Sequence, residues 1–305
     1  MNDFASFLNI IFGSILTICV TMIATMGISL IFKTSNTTNF AQGSIAAFGC
    51  FVTASLAVNI QGVPYWLAII IGIVVGILIG LLIDIGIFRR GKNVNAIGKQ
   101  IITMGIVTLI VGVIPLIFGA KESPQIRPFV EGNFTFNLGT STVSITKHSL
   151  VCLAITVVVM TILFLLLYKS KWGLGVRATA SSEVTASIVG INTYVVTASS
   201  WAVAAGLAVL SAVMLNAGSA TLSATFMTQI QVNSFLSGIL GGFSTFYGPV
   251  IGAVIIPLAI SIVGFFGIYA DFFQTWAEVI VYAIMLILIL IKPQGLFGKK
   301  VIKKV

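Results

Sequence analysis

Charge is what this 305-residue chain has least of: 8% of its residues are charged and only 7 are acidic, against roughly a quarter charged in ordinary soluble domains. With 58% hydrophobic residues, the chain has too few polar groups to clothe a soluble core, and an all-α polytopic membrane protein is predicted. Histidine is also scarce. His148 is the one example, alone at a helix edge without a Cys, Asp or Glu cluster, which excludes the usual ligand sets for a metal. The 3 cysteines, Cys19, Cys50 and Cys152, sit in apolar runs without metal-ligand spacing. They read as small buried hydrophobes rather than a disulfide framework. No Ser, His and acid set gathers at one depth, which argues against a membrane enzyme. The net charge of +9 does not point to nucleic acid, because the basic residues cluster at the ends of apolar runs, where they orient a membrane protein. Asp3 precedes the first apolar run and no basic residue does, the pattern of a retained helix rather than a cleaved leader.

What is present is a succession of apolar segments. Residues 7–32 are long enough to span and end at Lys33; 40–58 are interrupted by glycine and read as a broken crossing; 65–88 open on Tyr65 and Trp66 at an interface. Gly72, Gly76 and Gly80 form one stripe there for close helix packing. Residues 101–119, 149–168 and 196–215 follow, then 232–266, with room for two crossings if the first is short and broken around Gly241-Gly242, and finally 276–291. The total is about eight or nine transmembrane segments, some broken or re-entrant, in a single transmembrane domain over residues 1–305. Arg89, Arg90, Lys92 and Lys99, then Lys169, Lys171 and Arg177, and last Lys299, Lys300, Lys303 and Lys304 place those loops and the carboxyl terminus in the cytoplasm, with the amino terminus outside. Residues 86–93 approach a phosphate loop, but Asn93 stands where Ser or Thr belongs, and a basic topology-setting loop is the better reading. The connection 120–148 carries mixed charge and suits an external loop, with alternation at Phe134, Phe136, Leu138, Val143 and Ile145 predicting a small hairpin turning near Gly139.

The stretch 169–195 is different in kind: polar, basic at its start and rich in small residues. One helix is predicted over 176–189, with Gly173 and Gly175 breaking the chain before it and Gly190 as its stop. On it Ala180, Val184, Ile188 and Ile191 share one side, and Arg177, Ser181 and Thr185 another.

Arg177, Ala178, Ala180, Ala186, Gly190, Ile191 and Asn192 in this stretch resemble the coupling loop of permeases from ABC importers for branched-chain amino acids. The likeness extends to Asn39-Phe40-Ala41-Gln42-Gly43, to Leu240-Gly241-Gly242 with Gly248-Pro249 and Gly252, and to Lys292-Pro293-Gln294-Gly295-Leu296-Phe297-Gly298. The resemblance implies a multi-pass permease of the cell membrane, working with a sibling permease subunit, two ATPase subunits and an extracytoplasmic solute-binding protein. It holds no cofactor of its own, since ATP is used by the partners and no complete Walker motif is present. In the coupling loop, Arg177, Ser181 and Glu183 are expected to face the ATPase, with Ala186 and Gly190 permitting its close approach. Related permeases often carry a His and an acidic residue where this chain has Gln42 and Ser44, and a Lys near Asn233. That departure keeps urea or another small amide open as cargo.

Asn39-Phe40-x-x-Gly43 with Phe48 lines up with Ser234-Phe235-x-x-Gly238 with Phe243 at one constant offset. Entering from opposite faces, the two stretches read as an inverted repeat around a transport route. Asn39, Gln42 and Ser44, with Asn233, Ser234 and Ser237, are the expected lining: polar, uncharged and suited to a zwitterionic amino acid. An ATP-independent secondary carrier is the competing class. Proton-driven carriers need carboxylates deep in the bundle, and Asp84, near Arg89 and Arg90, and Glu278, toward the outside, do not supply a midplane proton site.

Overall fold

A computed structural model describes residues 3–59, 62–91, 94–119, 126–138, 141–218 and 221–298. In chain order the helices are α1 (Asp3–Ser35), α2 (Gln42–Ala54, continued by a π turn Ser55–Asn59), α3 (Tyr65–Ile83, continued by a π turn Asp84–Phe88) and α4 (Ala96–Phe118). After a two-stranded hairpin come α5 (Lys147–Lys169), α6 (Lys171–Ser181), α7 (Glu183–Ile188), α8 (Thr193–Gly218), α9 (Thr228–Gly241), α10 (Tyr247–Phe265, with a 3-10 turn Phe266–Ile268) and α11 (Asp271–Ile291). Seven of these helices are long and apolar enough to cross a bilayer. The protein is an all-α, multi-pass membrane protein. The two remaining expected crossings are the shorter α2 and α9, each preceded by non-helical chain, at 36–41 and 221–227. Fourteen residues of α9 rise about 21 Å, short of the ~30 Å hydrocarbon core.

α1 and α8 form the central antiparallel pair: Trp201 Nε1 donates to Ser35 Oγ (3.2 Å) at one end, while Leu16 lies against Gly218 toward the other. Around this pair the chain repeats itself in reverse. α3 runs antiparallel along α8, with Gly76 facing Val209 and Gly80 facing Ala205 and Trp201. α10 runs antiparallel along α1, with Phe265 against Phe7 (5.5 Å between ring centres) and Phe246 beneath Lys33 Nζ (4.6 Å). α2 packs parallel to α8 and antiparallel to α3, just as α9 packs parallel to α1 and antiparallel to α10. The predicted inverted repeat is therefore visible as α1–α4 against α8–α11. The motif offset is not its register: α2 starts three residues after Asn39, whereas α9 starts six residues before Ser234. Side chains on the two central helices, not local sequence likeness, decide where each half-helix can begin.

The bundle has one basic end, where Lys33, Arg89, Lys99, Arg177 and Lys292 gather, and an opposite end carrying the hairpin Asn133–Leu138 with Ser141–Thr146. Asn9 joins α1 to that hairpin, its Oδ1 accepting from Ser144 N–H at 2.8 Å and its Nδ2 donating to Thr142 O at 3.0 Å. The expected hairpin forms there, but its alternation shows only on Ser141–Thr146, since every residue of Asn133–Leu138 is exposed; Gly139, Lys92, Asn93, Lys121, Glu122 and the four tail lysines lie outside the described residues. His148 is buried, with Nδ1 accepting from Phe129 N–H (3.2 Å) and Nε2 3.0 Å from Met214 O, and Cys152, one turn on, has its Sγ 3.4 Å from Nε2.

Three of the four sequence signatures meet at the basic end. Leu296 N–H donates to Leu240 O (2.7 Å) and Phe297 N–H to Gly241 O (3.2 Å), so the Lys292–Gly298 segment seals the end of α9. Gly242 (φ +86°) and Gly295 (φ +79°) adopt left-handed backbone, and their main chains come too close for a Cβ on either.

The stripe on α3 offers a direct check. A Cβ on Gly76 would overlap Val209 on α8, whereas one on Gly13 would meet nothing within 4 Å. Gly76→Val is expected to cost ~1–3 kcal/mol by overpacking and to lower the thermal unfolding midpoint of the detergent-purified protein; Gly13→Val should leave it unchanged.

Candidate functional site at the meeting of two half-helices

Where α2 begins, inside the bundle, its first peptide groups cannot be bonded within the helix. Side chains from other elements take them up. Phe40 N–H donates to Thr103 Oγ1 of α4 (3.3 Å), Ala41 N–H to Asn39 Oδ1 (3.0 Å), and Gly43 N–H to Gln231 Oε1 of α9 (2.7 Å). Gln231 also donates through Nε2 to Phe40 O. One glutamine thus binds both a donor and an acceptor of the opposite half-helix. Phe40 and Phe235 pack 5.1 Å apart beside this contact.

Of the expected lining residues, Asn39 and Gln42 build this start. Asn39 Nδ2 donates to Gln42 Oε1 (3.2 Å), and Gln42 Nε2 to Ala204 O of α8 (2.8 Å). Ser44 Oγ donates to Ala41 O (3.0 Å). Asn233, Ser234 and Ser237 are buried and face other partners. Asn233 Oδ1 accepts from Tyr282 Oη of α11 (2.6 Å), Ser234 Oγ donates to Thr21 O of α1 (3.4 Å), and Ser237 Oγ donates to Asn233 O (2.6 Å). The six residues therefore do not share one wall in this conformation.

Beside the junction lies a cavity of about 330 Å3 between α2, α4 and α9, bordered by Gly43, Ser44, Thr228, Gln231, Met104 and Phe235, with no ionisable side chain among its lining residues. Ser44 is the one expected residue on it. Gln231 was missed by sequence reasoning; a single Gln in an uncharged connection gives no local signal, because its role depends on a helix almost two hundred positions away.

At the basic end the polar stretch forms two helices rather than the single one predicted. α6 starts earlier, at Lys171, with Ser170 Oγ accepting from Gly173 N–H (3.0 Å). Gly173 and Gly175 lie inside α6, and a Cβ on Gly173 would overlap the Leu166 and Leu167 carbonyls of α5. The chain then breaks at Ser182 (φ −162°, ψ 115°), whose Oγ accepts from Thr185 N–H (3.2 Å) and caps α7. The Ser181-Ser182 pair before Glu183 carried that signal. Gly190 does end the helix, at φ +87°, with Ile191 N–H donating to Ala186 O (3.0 Å) in a Schellman closure.

This break rearranges the expected contact surface. Ala186 is buried within the chain and is not open to a partner. The exposed apolar residues are Val184 (70%), Ile188 (78%) and Val189 (69%), with exposed Ser181, Glu183 and Gly190 around them. Arg177 is half-buried, its Nε donating to Gly173 O (3.3 Å) and its guanidinium 5.4 Å from the Tyr168 ring.

A bundle in which two half-helices enter from opposite ends and meet at depth is the architecture of a membrane permease. The chain belongs to the family described as the permease component of the branched-chain amino acid transport system, which it matches over residues 10–290. It is 28% identical over 298 residues to a probable branched-chain amino acid transport permease protein, LivH, of Methanocaldococcus jannaschii, covering 94% of this chain and 91% of that one. BraD, a high-affinity branched-chain amino acid transport system permease protein of Pseudomonas aeruginosa, is 23% identical over 289 residues, 92% of each chain. LivH of Escherichia coli K12, with the same description, is 23% identical over 314 positions, covering 100% of this chain and 99% of that one. No solved structure matches.

Gln231→Leu removes both bonds to α2 and is expected to leave Gly43 N–H and Phe40 O unpaired, at ~1–3 kcal/mol each, seen as a lower unfolding midpoint in detergent. Gln231→Glu retains the acceptor alone and should fall between the two.

Proposed function

We propose that this chain is the membrane-spanning subunit of an ATP-driven importer for branched-chain or related amino acids. The observation that carries the reading is the uncharged cavity at the junction of the half-helices. A zwitterion crossing there meets hydroxyl, amide and apolar groups and no fixed charge to hold it. Ser44 and Gln231 line the route; Asn39 and Gln42 hold the start of α2. Asn233, Ser234 and Ser237 join the wall when α9 shifts against α1 and α11. The cavity lies between α2, α4 and α9, and a sibling permease subunit would complete its wall.

In this reading the basic end faces the cytoplasm, following the preference of Lys and Arg for that side, and the α6–α7 hairpin is the handle pulled by an ATPase. Its groove-filling element is Val184, Ile188 and Val189, with Arg177, Ser181, Glu183 and Gly190 around it, and Ala186 as the internal anchor that holds α7 to the bundle. An external binding protein would select the solute, which suits a route without strong binding groups. The lipid bilayer takes the apolar outer faces of α3, α4, α5 and α11. A urea or small-amide cargo fits the neutral cavity as well, and labelled solutes decide between them.

Reconstituted with its sibling, ATPases and binding protein, the chain is expected to accumulate labelled leucine, isoleucine or valine only when ATP is supplied. ATP-independent accumulation would make it a secondary carrier instead. Ile188→Asp should abolish ATP-driven uptake with the unfolding midpoint unchanged, because Ile188 makes few contacts within the chain. Ala186→Leu should lower that midpoint by ~1–3 kcal/mol of overpacking.

A further inference from the structure

A second cavity, of about 170 Å3, lies at the basic end and shares no lining residue with the neutral one; Asp84 and Phe88 from the π turn of α3, Arg89 just beyond it, Lys99 from α4, Glu183 from α7 and Tyr194 from α8 are on its walls. Its charges are balanced: two carboxylates and two cations. Only Asp84 and Arg89 are paired within 4.0 Å among the described residues, at 3.8 Å between Oδ2 and Nε. Even that pair is incomplete. Both atoms are buried without a hydrogen-bond partner, in a carboxylate whose residue is only 3% exposed. The rest of the guanidinium is fixed in place, Nη2 donating to Tyr194 O at 3.2 Å with the Tyr194 ring 5.7 Å from the group.

Buried charged atoms left without hydrogen bonds are costly, and the residues that carry these two line the cavity. We propose that this cavity binds a small zwitterionic amino acid, its ammonium taken by Asp84 and Glu183 and its carboxylate by Arg89 and Lys99. A lone anion would meet the two carboxylates, and a lone cation the two bases; a ligand with both charges satisfies the wall. A cavity of ~150 Å3 admits a benzene ring, so this one holds roughly six to eight non-hydrogen atoms, the range from alanine to valine. Phe88 and Tyr194 supply apolar surface for a short aliphatic side chain. The choice of an amino acid over other zwitterions rests on the transport reading above.

Glu183 belongs to the proposed coupling hairpin and Asp84 to the bundle. A ligand held by both ties the hairpin to α3, so that amino acid accumulating at the basic end slows further import.

The test is equilibrium binding of labelled L-valine to the purified chain in nanodiscs, without ATPases. Saturable binding is expected, competed by unlabelled valine but not by isobutylamine or isovalerate, which each carry one of its charges. Lys99→Gln, which leaves the buried pair intact, should weaken binding roughly tenfold or more, and Asp84→Asn should abolish it. Gly13→Val, where an added side chain meets nothing within 4 Å, should not change it. Absence of saturable valine binding overturns the proposal, as does binding that survives Lys99→Gln, or equal competition by either single-charge analogue. ATP-driven uptake of valine without this binding defeats the second site alone. Binding without ATP-driven uptake of any branched-chain amino acid defeats the transport reading instead.

Discussion

A peptide group within the hydrocarbon of a bilayer has no water to turn to, and each one left unpaired costs several kcal/mol. Continuous helices meet this condition internally, and seven of the helices here do so. α2 and α9 do not. The start of α2 leaves N–H groups inside the bundle, and Asn39, Thr103 and Gln231 take them up. The interruption of the two crossings, the polar character of the junction and the cavity beside it are consequences of that one requirement.

The remainder of the bundle serves to keep the two half-helices in register. α1 and α8 are the common support, each parallel to one half-helix and antiparallel to one long helix. Close approach is achieved by removing side chains: Gly72, Gly76 and Gly80 admit α3 to α2 and α8, and Gly252 admits α10 to Ser237 of α9. In hydrocarbon, where burial of apolar surface gives no gain over lipid, such van der Waals contact between backbones is a main source of helix association. The Lys292–Gly298 segment adds hydrogen bonds at the foot of α9, fixing its end as Gln231 fixes its beginning.

Charge divides between depth and surface. The neutral junction lies inside. The charged cavity lies at the basic end, where the α6–α7 hairpin meets the bundle, and there opposite charges are gathered but incompletely matched. The hairpin itself is built from short capped helices, Ser170 and Ser182 each accepting the N–H that a helix start leaves free. Its break at Ser182 turns Ala186 inward and Val184, Ile188 and Val189 outward, so a single residue sets which face a partner would meet.

Much of this was legible in the order of residues. Apolar run length and the placement of Lys and Arg determine membrane class, span positions and the basic end, because these depend on local transfer energies. The glycine stripe, the Gly190 stop and the hairpin alternation are likewise local, set by backbone freedom and period. The Ser182 cap was legible too, although the single helix predicted across it passed over the signal. What only the tertiary structure decided is pairing at distance: Gln231 with Gly43, Leu296 with Leu240, Asp84 and Glu183 on one cavity. A hydrogen bond or a shared wall depends on two helices arriving at the same depth, and no window of sequence contains both partners.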